Sequence, residues 1–94
     1  MYINYSYPID TEWSQEEIID VVNFLSLIED AYERSVNTED FMTLYRAFKQ
    51  VAPMKSDENR ILKSFEQVST YSGYHAVKRA KQAKENNEKI FSMK

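Results

Sequence analysis

These 94 residues contain no cysteine, one glycine, one histidine and two prolines. Each scarcity removes a class of protein. Without cysteine there is no disulfide framework, zinc-thiolate site or thiol nucleophile, and a reducing compartment is the natural setting. One glycine and two prolines leave too little turn chemistry for many short strands joined by hairpins. A lone glycine also cannot build the glycine-rich loops that cradle phosphates. The opening residues MYINYSYPID lack the basic n-region and apolar run of a secretory signal. No stretch approaches the roughly 18 uninterrupted apolar residues of a membrane span. The expectation is a soluble cytoplasmic chain with no membrane partner.

What is present favours a few long helices in a single domain over residues 1–94. A chain of this length buries only a little over roughly 60% of its unfolded surface, so its core is small. The net charge of −3 hides an asymmetry. Residues 1–40 carry ten acids against one base, Arg34, whereas residues 78–94 carry six bases against two acids. Helix dipoles account for part of this, because acids gather at helix starts and lysines near a helix end. The same gradient can also steer a partner or draw one copy toward another, so a homo-dimer is open.

Residues 1–13 show no helical period, and Tyr2, Ile3, Tyr5, Tyr7 and Pro8 suggest an extended arm lying across the helices. A free tyrosine-rich tail is the alternative. The first helix begins sharply. Ser14 and Glu17 form a capping box, with Trp13 and Ile18 at the staple positions. Ile18, Val21, Val22, Phe24, Leu25, Ile28, Ala31 and Tyr32 then fall on one side. Ile19 falls on the other, a candidate for contact with the arm or with a partner. Asn37 is the second cap, ahead of a stripe of Phe41, Leu44, Tyr45, Phe48, Val51 and Ala52, and Pro53 ends that helix. Ser56 is read as the third cap, ahead of Ile61, Leu62, Phe65 and Val68. Ser72 is the fourth, ahead of Ala76, Val77, Ala80 and Ala83. The same angle returns Ile90 and Phe91 to this side, so the last helix is expected to run to about 90, with Asn86-Asn87 as its weak point. The expected helices are therefore 14–35, 38–52, 57–70 and 73–90, each packed on its neighbour in sequence through short connections.

The stretch from Ser69 to Lys81, STYSGYHAVKRAK, holds the only glycine, the only histidine, two tyrosines and the densest basic run. It is not catalytic on its residues. His75 is placed toward solvent, and there is no G-x-S-x-G elbow. Nor is it a metal centre. No carboxylate stands three residues before His75, as a Glu-x-x-His pair requires, and Glu29, Asp30 and Glu33 read as a solvated acidic face. Nucleic acid is the sharper alternative. Tyr71 and Tyr74 could stack bases, while Lys78, Arg79, Lys81 and Lys84 could meet phosphates beside the helix start at Ser72-Gly73. The acidic pI of about 5.1 opposes that reading. A membrane-surface helix over 74–94 is disfavoured by its alanine face.

Several blocks carry a resemblance. They are Tyr7-Pro8, Trp13-Ser14 with Glu16-Glu17-Ile18, Ala31-Tyr32-Glu33, Tyr45, Phe48-Lys49, Val51, Pro53, Phe65-Glu66 and Ser69. They end in the run Tyr71-Ser72, Tyr74, Val77-Lys78 and Ala80-Lys81. This pattern is similar to the YktA-like family of small uncharacterised proteins from Bacillus-type Gram-positive bacteria. Gly73 and His75 stand where that family pattern leads one to expect serine and arginine. The resemblance implies an all-helical cytoplasmic protein of bacteria and assigns no activity.

The sequence thus predicts an all-α, compact bundle of about four helices with an extended N-terminal arm. It is expected to work without catalysis, cofactor or metal as a protein-interaction or regulatory module. Its partner is unspecified, and the candidate interaction surface is Tyr71, Ser72, Tyr74, Lys78 and Lys81, with Ile19. RNA or single-stranded nucleic acid is the alternative, and an enzyme of unrecognised type the third.

Overall fold

The sharpest start signal in the chain, Ser14-x-x-Glu17, forms as its residues dictate. Ser14 Oγ accepts from the Glu17 N–H at 3.2 Å, and Glu17 Oε1 accepts from the Ser14 N–H at 2.8 Å. The computed structural model describes residues 7–94, so Tyr2, Ile3 and Tyr5 of the expected arm lie outside the described residues. Four helices follow in order: α1 (Gln15–Glu33), α2 (Thr38–Val51), α3 (Lys55–Ser69) and α4 (Gly73–Glu85). The fold is all-α in substance. Two-residue strands, β1 (Val36–Asn37) and β2 (Ile90–Phe91), pair antiparallel and bring Val36 opposite Phe91.

Asn37 and Ser72 cap α2 and α4 through the backbone N–H of Asp40 and of His75. The third cap differs from expectation. α3 begins at Lys55, two residues earlier than predicted. Met54 stands at the cap position with no side-chain bond, and Ser56 lies inside the first turn. The fourth helix also departs, stopping at Glu85 rather than running to 90. Asn87 takes the left-handed conformation at φ 59°. The Asn87 N–H donates to the Lys84 carbonyl and the Glu88 N–H to the Ala83 carbonyl at 2.8 Å, which is the Schellman closure. The chain then turns back. Phe91 is buried with its ring 5.2 Å from Phe41, while Ile90 is left 60% exposed.

Ala76, Val77, Ala80 and Ala83 are all buried, and their small size lets α4 lie against α1, α2 and α3. Consecutive packing therefore holds for α1 with α2 and for α3 with α4, whereas α2 and α3 are related mainly through α4. Phe24 organises the centre, its ring stacked 4.9 Å from Phe48 and edge-on to Phe41 at 5.4 Å. Gly73 lies close against α1 and α3. A β-carbon there would stand 2.7 Å from Leu62 Cδ2 and 3.2 Å from Ile28 Cδ1.

The described part of the arm is docked. Tyr7 sets its ring 6.0 Å from Phe65 and donates its hydroxyl to Glu29 Oε1 at 2.6 Å. Residues 10–13 form a turn, in which the Trp13 N–H reaches the Asp10 carbonyl at 3.2 Å. At the other end, the Met93 N–H donates to the Ala31 carbonyl at 2.8 Å and Ser92 Oγ to the Arg34 carbonyl at 2.7 Å. These bonds occupy carbonyls at the end of α1 that the helix itself leaves open.

Candidate interaction surface

The stretch STYSGYHAVKRAK divides into a structural half and an exposed half. Ser69 is buried and its hydroxyl bridges the turn, donating to the Phe65 carbonyl at 2.7 Å and accepting from the Tyr71 N–H at 3.1 Å. Thr70 closes α3 in the left-handed region at φ 69°. Tyr71 stacks on Tyr32 at 4.7 Å with 11° between the rings, and its hydroxyl donates to Glu33 Oε2 at 2.8 Å. That carboxylate bond, with some burial, raises the Tyr71 hydroxyl above its ordinary range. Ser72 is used twice: its side chain caps α4, and its carbonyl accepts the Tyr32 hydroxyl at 2.9 Å. His75 is exposed, as expected, with Nδ1 2.9 Å from Ser72 Oγ. Tyr71 and Ser72 are therefore fastenings of the α3–α4 turn.

Tyr74 is different. It is 58% exposed, and its hydroxyl has no hydrogen-bond partner among the described residues. The other described tyrosines, Tyr7, Tyr32, Tyr45 and Tyr71, each donate to a fixed acceptor. Tyr74 stands over a groove between α3 and α4. Its ring lines a cavity of about 280 Å3 bordered by Tyr45, Lys55, Leu62, Val77, Lys78 and Lys81. A second hollow of about 400 Å3 shares Lys55, Leu62 and Tyr74 with the first and takes in Lys63 and Glu66. Lys55, Lys63, Lys78 and Lys81 make no ion pair within 4 Å among the described residues. Lys81 Nζ instead sits 5.7 Å from the centre of the Tyr45 ring, at cation–π distance.

The floor of this groove holds Glu58, a buried carboxylate that the sequence reading missed. Lys49 Nζ donates to its Oε1 at 2.9 Å and the Tyr45 hydroxyl to its Oε2 at 2.8 Å. Burial pushes the Glu58 carboxyl up, but the bonds from Lys49 and Tyr45 outweigh it and hold the group below the usual carboxylate range. Burial and the Glu58 charge drive the Tyr45 hydroxyl strongly up. Both carboxylate oxygens are engaged, so Glu58 acts as a clamp between α2 and α3. The signal that could have found it was the pair Tyr45 and Lys49, one helical turn apart on one edge of the second stripe.

Ile19 is 48% exposed on α1, as expected, and lies near Glu16 and Asn23 on the helix surface with Asp20 beside them. Glu16 and Asp20 have no ion-pair partner among the described residues. The acids expected to be solvated, Glu29 and Glu33, instead receive the hydroxyls of Tyr7 and Tyr71. Burial, with Glu33 and Asp30 nearby, raises Glu29 to about 6. Among the described residues no group of three or more His, Asp or Glu side chains is arranged to hold a metal ion. No described helix is long and apolar enough to cross a membrane.

Comparison with known proteins gives the chain its place. The pattern of an uncharacterised protein family, UPF0223, matches residues 4–89. The chain belongs to that family. It is 53% identical to a UPF0223 protein of Oceanobacillus iheyensis over 90% of this chain and 97% of that protein. It is 53% identical to one of Streptococcus sanguinis over 83% of this chain and 85% of that protein. One of Bacillus mycoides is 46% identical over 97% of this chain and 100% of that protein. These UPF0223 relatives come from Gram-positive bacteria, and no molecular function attaches to the family.

Proposed function

We infer that the chain, a YktA-like member of the UPF0223 proteins, is a non-catalytic cytoplasmic interaction module. Its binding surface is the lysine-bordered groove between α3 and α4. The observation that carries this reading is Tyr74. It is the described tyrosine with no structural bond, set among Lys55, Lys63, Lys78 and Lys81, which have no carboxylate partner among the described residues. An exposed aromatic ring amid free cations fits an acidic protein surface with an apolar centre. The titratable groups of the groove argue against catalysis, because both oxygens of Glu58 are already bonded and the lysines face an open surface. The test is capture of partners from the native host with wild-type bait and with Tyr74→Ala/Lys78→Glu bait. A protein held by wild type and released by the double variant, more readily at high salt, supports the reading. Equal capture by both baits, or no enrichment over a control bait, refutes it.

Single-stranded nucleic acid is the second reading, favoured by the same ring and by Lys78 and Lys81. It is narrower than the sequence suggested, because one face of the Tyr71 ring is already stacked on Tyr32. A gel shift with single-stranded RNA that fades steeply with salt supports it. Absence of a shift at low salt ends it.

A further inference from the structure

The groove has a complement elsewhere on the same chain. On α1, Ile19 projects 48% exposed near Glu16, with Asp20 beside it and Glu12 exposed just ahead of the helix. The groove offers the converse: Leu62 and Val77 line it beside Tyr74, Lys55, Lys78 and Lys81 border it, and its one acid, Glu58, is already bonded by Lys49 and Tyr45. A cavity of about 280 Å3 has room for one branched aliphatic side chain flanked by its neighbours. Within one molecule these charges do not meet. No ion pair joins an acid of the α1 face to a lysine of the groove among the described residues. Both sets thus stay available to a second molecule, and the segment 1–40, with ten acids to one base, supplies the long-range attraction.

We propose that a second copy of this chain occupies the groove, its α1 face inserting Ile19 beside Tyr74 while Glu16 and Asp20 meet Lys78 and Lys81. The contact joins two different patches, so it is heterologous. It rests on the reading of the groove as a binding surface and goes further by naming the occupant. Exposed charge pairs make such a contact weak and salt-sensitive, with steering by charge outweighing tight packing.

The test uses two variants that each remove one side. Lys78→Gln/Lys81→Gln blunts the groove and leaves α1 intact. Glu16→Gln/Asp20→Asn blunts α1 and leaves the groove intact. All four positions lie on the surface or its margin, and circular dichroism checks that the helices persist. In sedimentation equilibrium, the wild-type mass should rise above the monomer's 11.2 kDa as the protein approaches about 1 mM in about 20 mM salt, and return to it in about 0.5 M salt. Each variant alone should associate at least about tenfold more weakly. The equimolar mixture should recover a one-to-one complex that grows no further, because only one intact contact can form. The proposal is overturned if wild type stays monomeric at low salt, if either variant associates as wild type does, or if the mixture stays monomeric. Host-protein capture that depends on Tyr74, in a chain that never self-associates, leaves the module reading standing and removes only this occupant.

Discussion

Replacing Lys49 by Met tests whether the clamp between α2 and α3 has the energetic weight that its geometry implies. Glu58 is 4% exposed and holds two bonds, one from Lys49 at 2.9 Å and one from Tyr45 at 2.8 Å. Methionine keeps much of the lysine stem's volume but removes the cation, leaving a buried carboxylate with a single neutral donor. Breaking a fully buried pair in this way costs about 3–5 kcal/mol. The Lys49 side chain is 29% exposed and Lys55 also lowers the Glu58 carboxyl, so the lower end, about 3 kcal/mol, is expected here. For a domain of this size that lowers Tm by about 12–24 °C.

The pH dependence supplies the sharper check. In wild type the folded-state carboxyl of Glu58 lies below its ordinary value. Its pairing therefore contributes stability that is present above the unfolded value and is lost as pH falls through the folded one. Without Lys49, burial dominates and the carboxyl moves up, so the variant regains stability on protonation where wild type loses it. The gap between the two should be widest near neutral pH and shrink toward pH about 4. Urea unfolding at a series of pH values measures this. A loss under about 1 kcal/mol, or a gap that does not change with pH, would show that Glu58 is solvated in place and that the clamp is ornamental.

Other positions give tests of the same kind. Thr70→Gly should stabilise by about 1 kcal/mol, because a β-branched residue at φ 69° carries a steric cost that glycine lacks; calorimetry should show a higher Tm. Glu29→Gln keeps an acceptor for the Tyr7 hydroxyl and removes a charge that burial disfavours. The carboxyl at about 6 lies above its unfolded value, so wild type holds this stability at low pH and loses it as pH rises through 6. The variant should be more stable at pH about 8 by roughly 1 kcal/mol after allowance for solvent, with the difference vanishing below pH about 4.5. Gly73→Ala should lower stability by about 1 kcal/mol despite alanine's better helix propensity, since its methyl meets Leu62 at 2.7 Å; a neutral result in chemical unfolding would mean that Leu62 turns aside freely.

The helices were legible because their starts and faces are local. Ser14, Asn37 and Ser72 cap where side-chain chemistry says they should, and the stripes around Phe24, Phe48 and Ala80 are buried. Three departures have tertiary causes. A serine cap at Ser56 would contribute about 1 kcal/mol. α3 forgoes it and starts where the Glu58 N–H reaches the Met54 carbonyl at 3.0 Å, with the Glu58 side chain bonded to α2. The end of α4 was read as a continuation because Ile90 and Phe91 keep the helical angle. Asn87 turned left-handed instead, and pairing with Val36 and Asn37 claimed the following residues. Val68 fits the third stripe by spacing but is 45% exposed, because the buried face of α3 runs through Glu58, Ile61, Leu62, Phe65 and Ser69 and leaves Val68 to one side. Hydrophobicity alone put Val68 on the stripe, where the structure places the buried Ser69.

The candidate surface was legible as a segment and resolved only as a set of separate roles. Rare residues coincided over 69–81, and the excess of tyrosines suggested a working surface. Composition cannot distinguish a tyrosine that fastens a turn from one that awaits a partner, since both bury a ring edge and need water or an acceptor for the hydroxyl. Bonding does distinguish them. Tyr7, Tyr32, Tyr45 and Tyr71 donate to Glu29, the Ser72 carbonyl, Glu58 and Glu33, joining the arm to α1, the α3–α4 turn to α1, and α2 to α3. A chain with one glycine and an alanine-lined fourth helix has little apolar area to hold these joints, and tyrosine-to-acceptor bonds do so instead. Tyr74 lies outside that scheme, its ring exposed over the groove. Substituting it should leave the fold's joints intact and alter only what the surface can bind. A working residue differs from a structural one in that respect, and binding at Tyr74 can therefore be measured apart from stability.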